Sequence, residues 1–246
     1  TVVDIVNEEG AESMGKPIGS YITMESRVLK APEERERRSI ASKLAEYLSD
    51  IIQKDQVRSV LIVGLGNMQA TPDALGPRTV KEVLPSEKVY CIAPGVLAQT
   101  GMETFDIVKG IVGEVNPDIV IAVDSLAARN VRRITTTIQI TDTGITPGGG
   151  IGNHRKGLNQ ESLGKKVIAI GVPTVIDART LILDAAERIK EEHRHQEENG
   201  AERFCAAAED CLEDCLESYL REENFGMIVT STDIDQIIKD FADILS

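Results

Sequence analysis

The chain has 246 residues, of which 41% are hydrophobic, and carries a formal net charge of -13 from 27 Lys and Arg against 40 Asp and Glu. The acidic charge argues against a general nucleic-acid binder, which shows a basic face to phosphates, so no direct nucleic-acid contact is predicted. The longest apolar runs are strand-sized, far short of the roughly 20 residues that a membrane helix needs, so no membrane contact is predicted. The length suits a large α/β core, and we favour a single domain over residues 1–246.

Six short runs rich in β-branched residues predict strands. They cover residues 60–63, 89–92, 119–123, 138–140, 167–170 and 227–229. Several of these runs are apolar throughout, which is typical of strands covered on both faces, and the helical segments between them favour crossover connections. The sequence therefore predicts one doubly wound, three-layer α/β fold with a mainly parallel sheet.

Helical periodicity is clearest over residues 33–52, where Ile40, Leu44 and Leu48 share one stripe between charged residues. A second helix is predicted from Ala178 to about residue 192. The segment 191–225 is interpreted as a variable acidic insertion that carries an amphipathic helix over 201–223, and a last strand and helix close the fold.

Four cysteines, Cys91, Cys205, Cys211 and Cys215, form no Cys-x-x-Cys pair, and no signal peptide stands at the start of the chain. These features favour a reducing, cytoplasmic compartment. Cys211 and Cys215 share a face of the predicted helix, but no His or further Cys follows at ligand spacing. We therefore interpret them as semi-buried thiols and predict no metal site and no cofactor.

Four aspartates follow predicted strands directly or stand in the loops after them: Asp73, Asp124, Asp142 and Asp177. The carboxyl ends of parallel strands meet at one rim of a sheet, so these acids can converge. Two carboxyls brought close cannot both ionise easily, so one holds a proton and serves as an acid while the other, charged, activates water. A structural alternative stays open for Asp124, which is a good N-cap for a helix beginning at 125, and is preferred for Asp177.

Two loops rich in glycine flank these acids. Asp73 lies in TPDALGP, whose Pro and Gly residues keep the loop stiff, just after the turn GLGN at 64–67. The loop QITDTGITPGGGIGN at 139–153 can offer backbone N–H groups to an anion or to a substrate main chain. It lacks the Lys-Ser or Lys-Thr ending of a P-loop, and Pro72 breaks the dinucleotide-like start at Gly64, so nucleotide binding is not indicated. With three histidines and no Ser or Cys beside an obvious base, a nucleophilic triad is not indicated either.

Five longer motifs lie along the chain: GLGNMQATPDALGP at 64–77, APGVLAQTGMET at 93–104, VDSLAARN at 123–130, TIQITDTGITPGGGIGN at 137–153 and VIAIGVPTVIDA at 167–178. Together they resemble the germination protease family of endospore-forming bacteria. The segments 9–25 and 227–245 also look like that family, which leaves mainly 191–225 unmatched.

The resemblance implies an endopeptidase that degrades small acid-soluble spore proteins during germination, inside the spore. It also implies a fold like that of the hydrogenase maturation proteases, assembly as a homotetramer, and synthesis as a zymogen that loses a short amino-terminal propeptide. Because the chain begins at Thr1, close to the first family motif, we expect that propeptide to be removed, absent or outside this sequence.

The family's two implicated aspartates match Asp73 in TPDALGP and Asp124 in DSLAAR, and this pair is the predicted catalytic site. One carboxylate would take a proton from the attacking water, and the other, protonated, would hydrogen-bond the oxyanion or protonate the leaving nitrogen. Which aspartate takes which part is left open. The residues predicted to contact the substrate or to position the pair are Asn67, Arg129, Thr141, Asp142, Gly148 and Asn153.

Ser125 and Gly149 stand where the family pattern leads us to expect Ala and Ser. Neither replaces a carboxylate, so we expect activity to survive. Two other functions stay open: a metal-dependent maturation-type peptidase, for which the chain offers few histidines, and a non-enzymatic peptide-binding protein.

Overall fold

A computed structural model describes residues 1–54, 56–148, 155–196, 218–220 and 226–246. The strands are β1 (Val2–Ile5), β2 (Gly19–Glu25), β3 (Val60–Gly64), β4 (Val89–Ile92), β5 (Ile119–Ala128), β6 (Thr137–Thr141), β7 (Lys166–Asp177) and β8 (Ile228–Thr230). The helices are α1 (Glu8–Met14), α2 (Glu34–Lys54), α3 (Leu75–Glu82), α4 (Leu97–Thr100), α5 (Thr104–Val115), α6 (Gln160–Leu163), α7 (Ala178–Gln196) and α8 (Ile234–Leu245). No helix in the described ranges has both the length and the apolar character that crossing a membrane requires.

The strands form one mixed sheet in the order β1-β2-β6-β7-β5-β3-β4, with β8 paired to β7. Strands β4, β3, β5 and β7 are parallel, whereas β8, β6, β2 and β1 each run antiparallel to a neighbour. Helices α2, α3 and α8 pack on one face, and α5 and α6 pack on the other. The predicted three-layer α/β fold is confirmed, with the parallel strands in one half of the sheet, from β7 to the edge strand β4.

Strand β5 shows why the central strands are apolar at every position. Ile119, Ile121 and Val123 belong to the core under α2 and α8, while Val120 and Ala122 belong to the core under α5. Successive side chains of a strand point to opposite faces, so a strand covered on both sides needs an apolar residue at each step.

The observed strands differ from the predicted ones mainly in length. Strand β5 continues to Ala128 because it pairs with β7 as far as Ile176, and β7 reaches Asp177, which pairs with Ile228 of β8. The interpretation of Asp124 as a helix N-cap is therefore wrong, since the residues after it are strand. Strands β1 and β2 were not predicted.

The predicted helices are found where the structure describes them. Helix α2 buries Leu44, and α7 runs to Gln196, beyond the predicted end. Asp177 is the predicted cap of α7: its carboxylate accepts the backbone N–H of Arg179 at 2.9 Å. Cys91 is a half-buried free thiol. The other three cysteines and most of the predicted insertion lie outside the described residues, apart from the end of α7 and a helical piece at 218–220.

The carboxyl end of β3 and the middle of β5 meet the start of α3 through close main-chain contacts. The Leu65 N–H donates to the Val123 carbonyl at 2.8 Å, just beyond the last residue of β3. A Cβ placed on Gly76 would lie 2.4 Å from the carbonyl oxygens of both residues. A Cβ on Gly64 would lie 2.2 Å from the Gly76 carbonyl oxygen. The glycines at 64 and 76 therefore serve close packing of α3 against the strand ends.

We expect Gly76→Ala to lower the free energy of unfolding by about 1–3 kcal/mol or more, because the new methyl group overlaps backbone that cannot rotate away. Gly110→Ala is the matched control, because Gly110 lies in α5 and a Cβ there meets nothing within 4 Å. That substitution should be neutral or stabilising through helix propensity. Thermal unfolding of both variants checks the prediction, and equal melting temperatures would contradict it.

Candidate active site

Asp73 stands in a 3-10 turn, Thr71–Asp73, in the loop between β3 and α3. The Asn67 N–H donates to the Asp73 carboxylate at 2.8 Å and also to the main-chain carbonyl oxygen of Asp73 at 3.0 Å. The chain folds back tightly at Gly66, which has φ 112° and where a Cβ would lie 2.1 Å from the Asp73 carbonyl. Partial burial raises the pKa of Asp73, and the Asn67 N–H opposes that rise.

Asp124 lies within β5, at the first residue after the pairing with β3 ends. Its exposed fraction is 8%, and its carboxylate accepts the Ser125 N–H at 2.9 Å. Burial, with a smaller contribution from the Asp73 charge, raises the pKa of Asp124 to about 8. At neutral pH Asp124 is therefore the carboxyl that keeps a proton.

The two aspartates face the same space. Both line a cavity of about 520 Å³, and both line a smaller one of about 120 Å³. The less buried Asp73 and the more buried Asp124 have unlike surroundings, and unlike surroundings push the pKa values of paired carboxyls apart. The arrangement can therefore hold one ionised and one protonated carboxyl side by side, which is what acid–base activation of water needs.

The predicted Gly-rich loop contributes to the site in part. Gly148 lines both cavities with the aspartates. Thr141 lines an adjoining cavity of about 400 Å³, which shares Leu126, Ile145 and Thr146 with the larger of the two. Asn153 lies outside the described residues.

Of the other predicted site residues, one contacts the aspartate pair and two do not line its cavities. Asn67 contacts Asp73 directly through its N–H, and its side-chain oxygen accepts from Gln99 Nε2 at 2.7 Å. Asp142 accepts the Ser20 N–H at 2.8 Å, so it ties β2 to the end of β6 and does not line the cavities of the pair. Arg129 is exposed at the end of β5 and does not line them either.

Sequence reasoning missed two hydroxyls at the site. Ser125 Oγ and Thr174 Oγ1 are buried and line the larger cavity, yet neither has a hydrogen-bond partner among the described residues. Thr174 is the extra residue of a β-bulge, because Leu126 pairs with Pro173 while Ala127 pairs with Val175. Bulges redirect side chains near functional sites, and buried hydroxyls normally have partners. Only Ser125 carried a signal, as a departure from the family pattern.

The remaining wall of the larger cavity is mostly apolar, formed by residues that include Pro72, Leu126, Ile145, Val175 and Ile228. Arg155 lines the smaller cavity, where it brings a positive charge near the pair. Over the described ranges, no three His, Cys, Asp or Glu side chains come together as ligands of a metal ion would. His154 lies outside those ranges.

The raised pKa of Asp124 predicts a pH-dependent stability. An unfolded Asp ionises at about pH 4, whereas folded Asp124 keeps its proton up to about pH 8, so the folded state loses stability as the pH rises between these values. We expect Asp124→Asn to remove this loss, so that the variant melts with the parent near pH 4 and several degrees above it at pH 8.

Asp118→Asn is the control with the opposite sign, because backbone N–H donors of Arg58 and Ser59 lower the pKa of Asp118. That variant should gain no stability over the parent between pH 4 and 8. Scanning calorimetry across the range checks both expectations, and an Asp124→Asn protein that melts at or below the parent at pH 8 would contradict the assignment of the proton.

The family model named Peptidase A25, germination protease, matches residues 1–214. The germination protease of Clostridium perfringens (strain ATCC 13124) is 39% identical, over 100% of this chain and 81% of its own length. The enzyme of that name from Caldanaerobacter subterraneus subsp. tengcongensis is 40% identical, over 100% and 82%. That of Bacillus subtilis (strain 168) is 44% identical, over 75% and 55%.

Among solved structures, the [NiFe] hydrogenase maturation protease HycI from Thermococcus kodakarensis KOD1 is similar with a TM-score of 0.40 and 23% identity. That likeness covers 52% of this chain and 80% of the other. The family model and the curated relatives together span the motifs that carry Asp73 and Asp124. The chain belongs to the germination protease family, peptidase family A25.

Proposed function

We propose that this spore-germination endopeptidase cleaves small acid-soluble spore proteins in the cavity of Asp73 and Asp124, by acid–base activation of water. Family membership gives the peptidase class and the germination setting. One observation carries the mechanism: Asp73 from the loop after β3 and Asp124 from within β5 line one cavity, and the pKa of Asp124 is about 8.

In this proposal Asp73 is the base and Asp124 the acid. Asp73 takes a proton from water as the water oxygen bonds to the carbonyl carbon, and Asp124 gives its proton to the carbonyl oxygen. In the second step Asp73 returns its proton to the amide nitrogen as the C–N bond breaks, and Asp124 recovers a proton from the collapsing intermediate. Both carboxyls end as they began, so the cycle consumes only water and the peptide bond.

In the same mechanism, nearby polar groups would position the aspartates and the substrate. The Asn67 N–H holds the Asp73 carboxylate in place at 2.8 Å and favours its charged form. The hydroxyls of Ser125 and Thr174 would hydrogen-bond the attacking water or the substrate peptide group. Arg155 would favour negative charge that develops at the carbonyl oxygen.

Asp73→Asn and Asp124→Asn should each lower the rate of cleavage of a small acid-soluble spore protein by about 100-fold or more, since each removes one proton-transfer group. Fragment production followed by mass spectrometry measures the rates, and circular dichroism verifies that each variant is folded. Asp118→Asn, outside the site, should cut like the parent, and the parent should still cut in the presence of a chelator. If either folded site variant cut at the parental rate, that aspartate would lose its assigned role.

The pH dependence of kcat/KM should show two limbs. The acidic limb reports protonation of Asp73, whose pKa lies above its ordinary value, and the alkaline limb reports loss of the Asp124 proton at about 8. Above that pH, kcat/KM should fall about tenfold per pH unit. Initial rates on a peptide substrate across this range check the assignment. A rate that stays flat through the alkaline range would contradict it.

The family resemblance also supports proposals on assembly and setting. We propose a homotetramer, made as a zymogen and active in the cytoplasm of the spore. Native mass spectrometry of the purified protein gives the subunit number, and an intact mass compared with the gene product identifies any propeptide that has been removed.

A further inference from the structure

Strand β5 is 10 residues long and its neighbour β3 only 5. The pairing between them ends at Val123 and Gly64, and β5 then continues to Ala128. Along this extension β5 pairs with β7 on one side. The other side, which faces past the end of β3, is called here the open edge of β5 (residues 124–128).

The direction of the backbone groups along this extension follows from one hydrogen bond. The Val123 carbonyl accepts from the Leu65 N–H, so the polar groups of Val123 face the β3 side. Backbone direction alternates along a strand, so the N–H and C=O groups of Ser125 and Ala127 face the open edge, while those of the residues between them face β7.

These outward groups have no strand partner over the described part of the chain. The Ser125 N–H bonds only to the neighbouring Asp124 carboxylate, at 2.9 Å. Ala127 is exposed, and among the described residues no loop makes a backbone hydrogen bond to it. An edge with free N–H and C=O groups is a template for pairing with another extended chain.

The larger cavity of the aspartate pair runs along this edge. Residues 124–127 line it, together with Ala70, Pro72 and Asp73 of the loop before α3. The aspartates therefore stand where a chain that lies on the open edge would pass.

We propose that the substrate binds as an extended strand on the open edge of β5, its main chain pairing with Ser125 and Ala127 so that its next peptide bond reaches Asp73 and Asp124. This inference rests on the proposed proteolytic function and adds how the substrate is held. The occupant is an unfolded, extended segment of the protein substrate. Main-chain pairing supplies affinity, and alternate side chains meet the apolar wall around Leu126 and Ile145.

Ala127→Pro tests the pairing, because proline removes the N–H that faces the open edge and leaves the groups that face β7. Ala127→Val is the matched variant, with similar bulk and an intact N–H. We expect KM for the protein substrate to be about tenfold higher in Ala127→Pro than in Ala127→Val, from a lost hydrogen bond and an obstructed edge. Melting temperatures verify that both variants fold. Equal KM values for the two folded variants would overturn the proposal.

A second measurement separates this inference from the proposed function. Overlapping peptides of a small acid-soluble spore protein are titrated into the Asp73→Asn variant by calorimetry, and a binding peptide is N-methylated at one residue at a time. Affinity should fall at every second residue, which is the period of strand pairing. No binding, or losses without alternation, would overturn the strand proposal. A parent enzyme that cut nothing while the alternation held would instead overturn the proposed function.

Discussion

A carboxyl group held out of water beside a second carboxyl is the constraint on which the site depends. Asp124 lies on a central strand, with apolar β5 residues before it and the β7 backbone beside it. An ionised carboxylate in such a place lacks the hydration it has in water, so the group keeps its proton and its pKa rises to about 8. The same fold leaves Asp73 half-buried, with an N–H donor that favours its charged form. Two identical side chains thereby acquire different chemistry from their surroundings.

The burial of Asp124 lowers the stability of the fold, and the packing of the rest of the chain offsets this loss. Holding a proton on Asp124 at neutral pH opposes folding, whereas the two apolar cores on either side of the sheet favour it. Groups that work at functional sites commonly lower stability in this way. The long pairing of β5 with β7 secures the strand on which Asp124 sits, although its polar side chain interrupts an otherwise apolar run.

The fold class, the central strands and the expectation that the two aspartates share one site could be predicted from the sequence. Hydrophobic patterns and family motifs consist of contiguous residues, so the sequence shows them directly. The strand character of 125–128 could not be predicted, since Ser-Leu-Ala-Ala after an aspartate also suits a helix start, and pairing with distant β7 residues decides the outcome. The part of Thr174 in the site could not be predicted for a related reason. Its side chain is oriented by a β-bulge, and the bulge depends on the register between two strands that are distant in sequence. Asp142 follows a strand in the sequence, as Asp73 and Asp124 do, which is why it was predicted to lie at the site. Its carboxylate instead accepts the Ser20 N–H of β2, a strand that was not predicted.

The main-chain contact between Gly76 and the carbonyls of Leu65 and Val123 has a consequence for how the site responds to heat. Side chains at an interface can hop between rotamers and let neighbouring elements drift, but backbone against backbone has no such softness. We therefore expect the helix start, the Asp73 loop and the Asp124 strand to move together. Warming should leave the spacing of the two carboxyls unchanged until α3 leaves the sheet, so that inactivation is abrupt and coincides with loss of the fold.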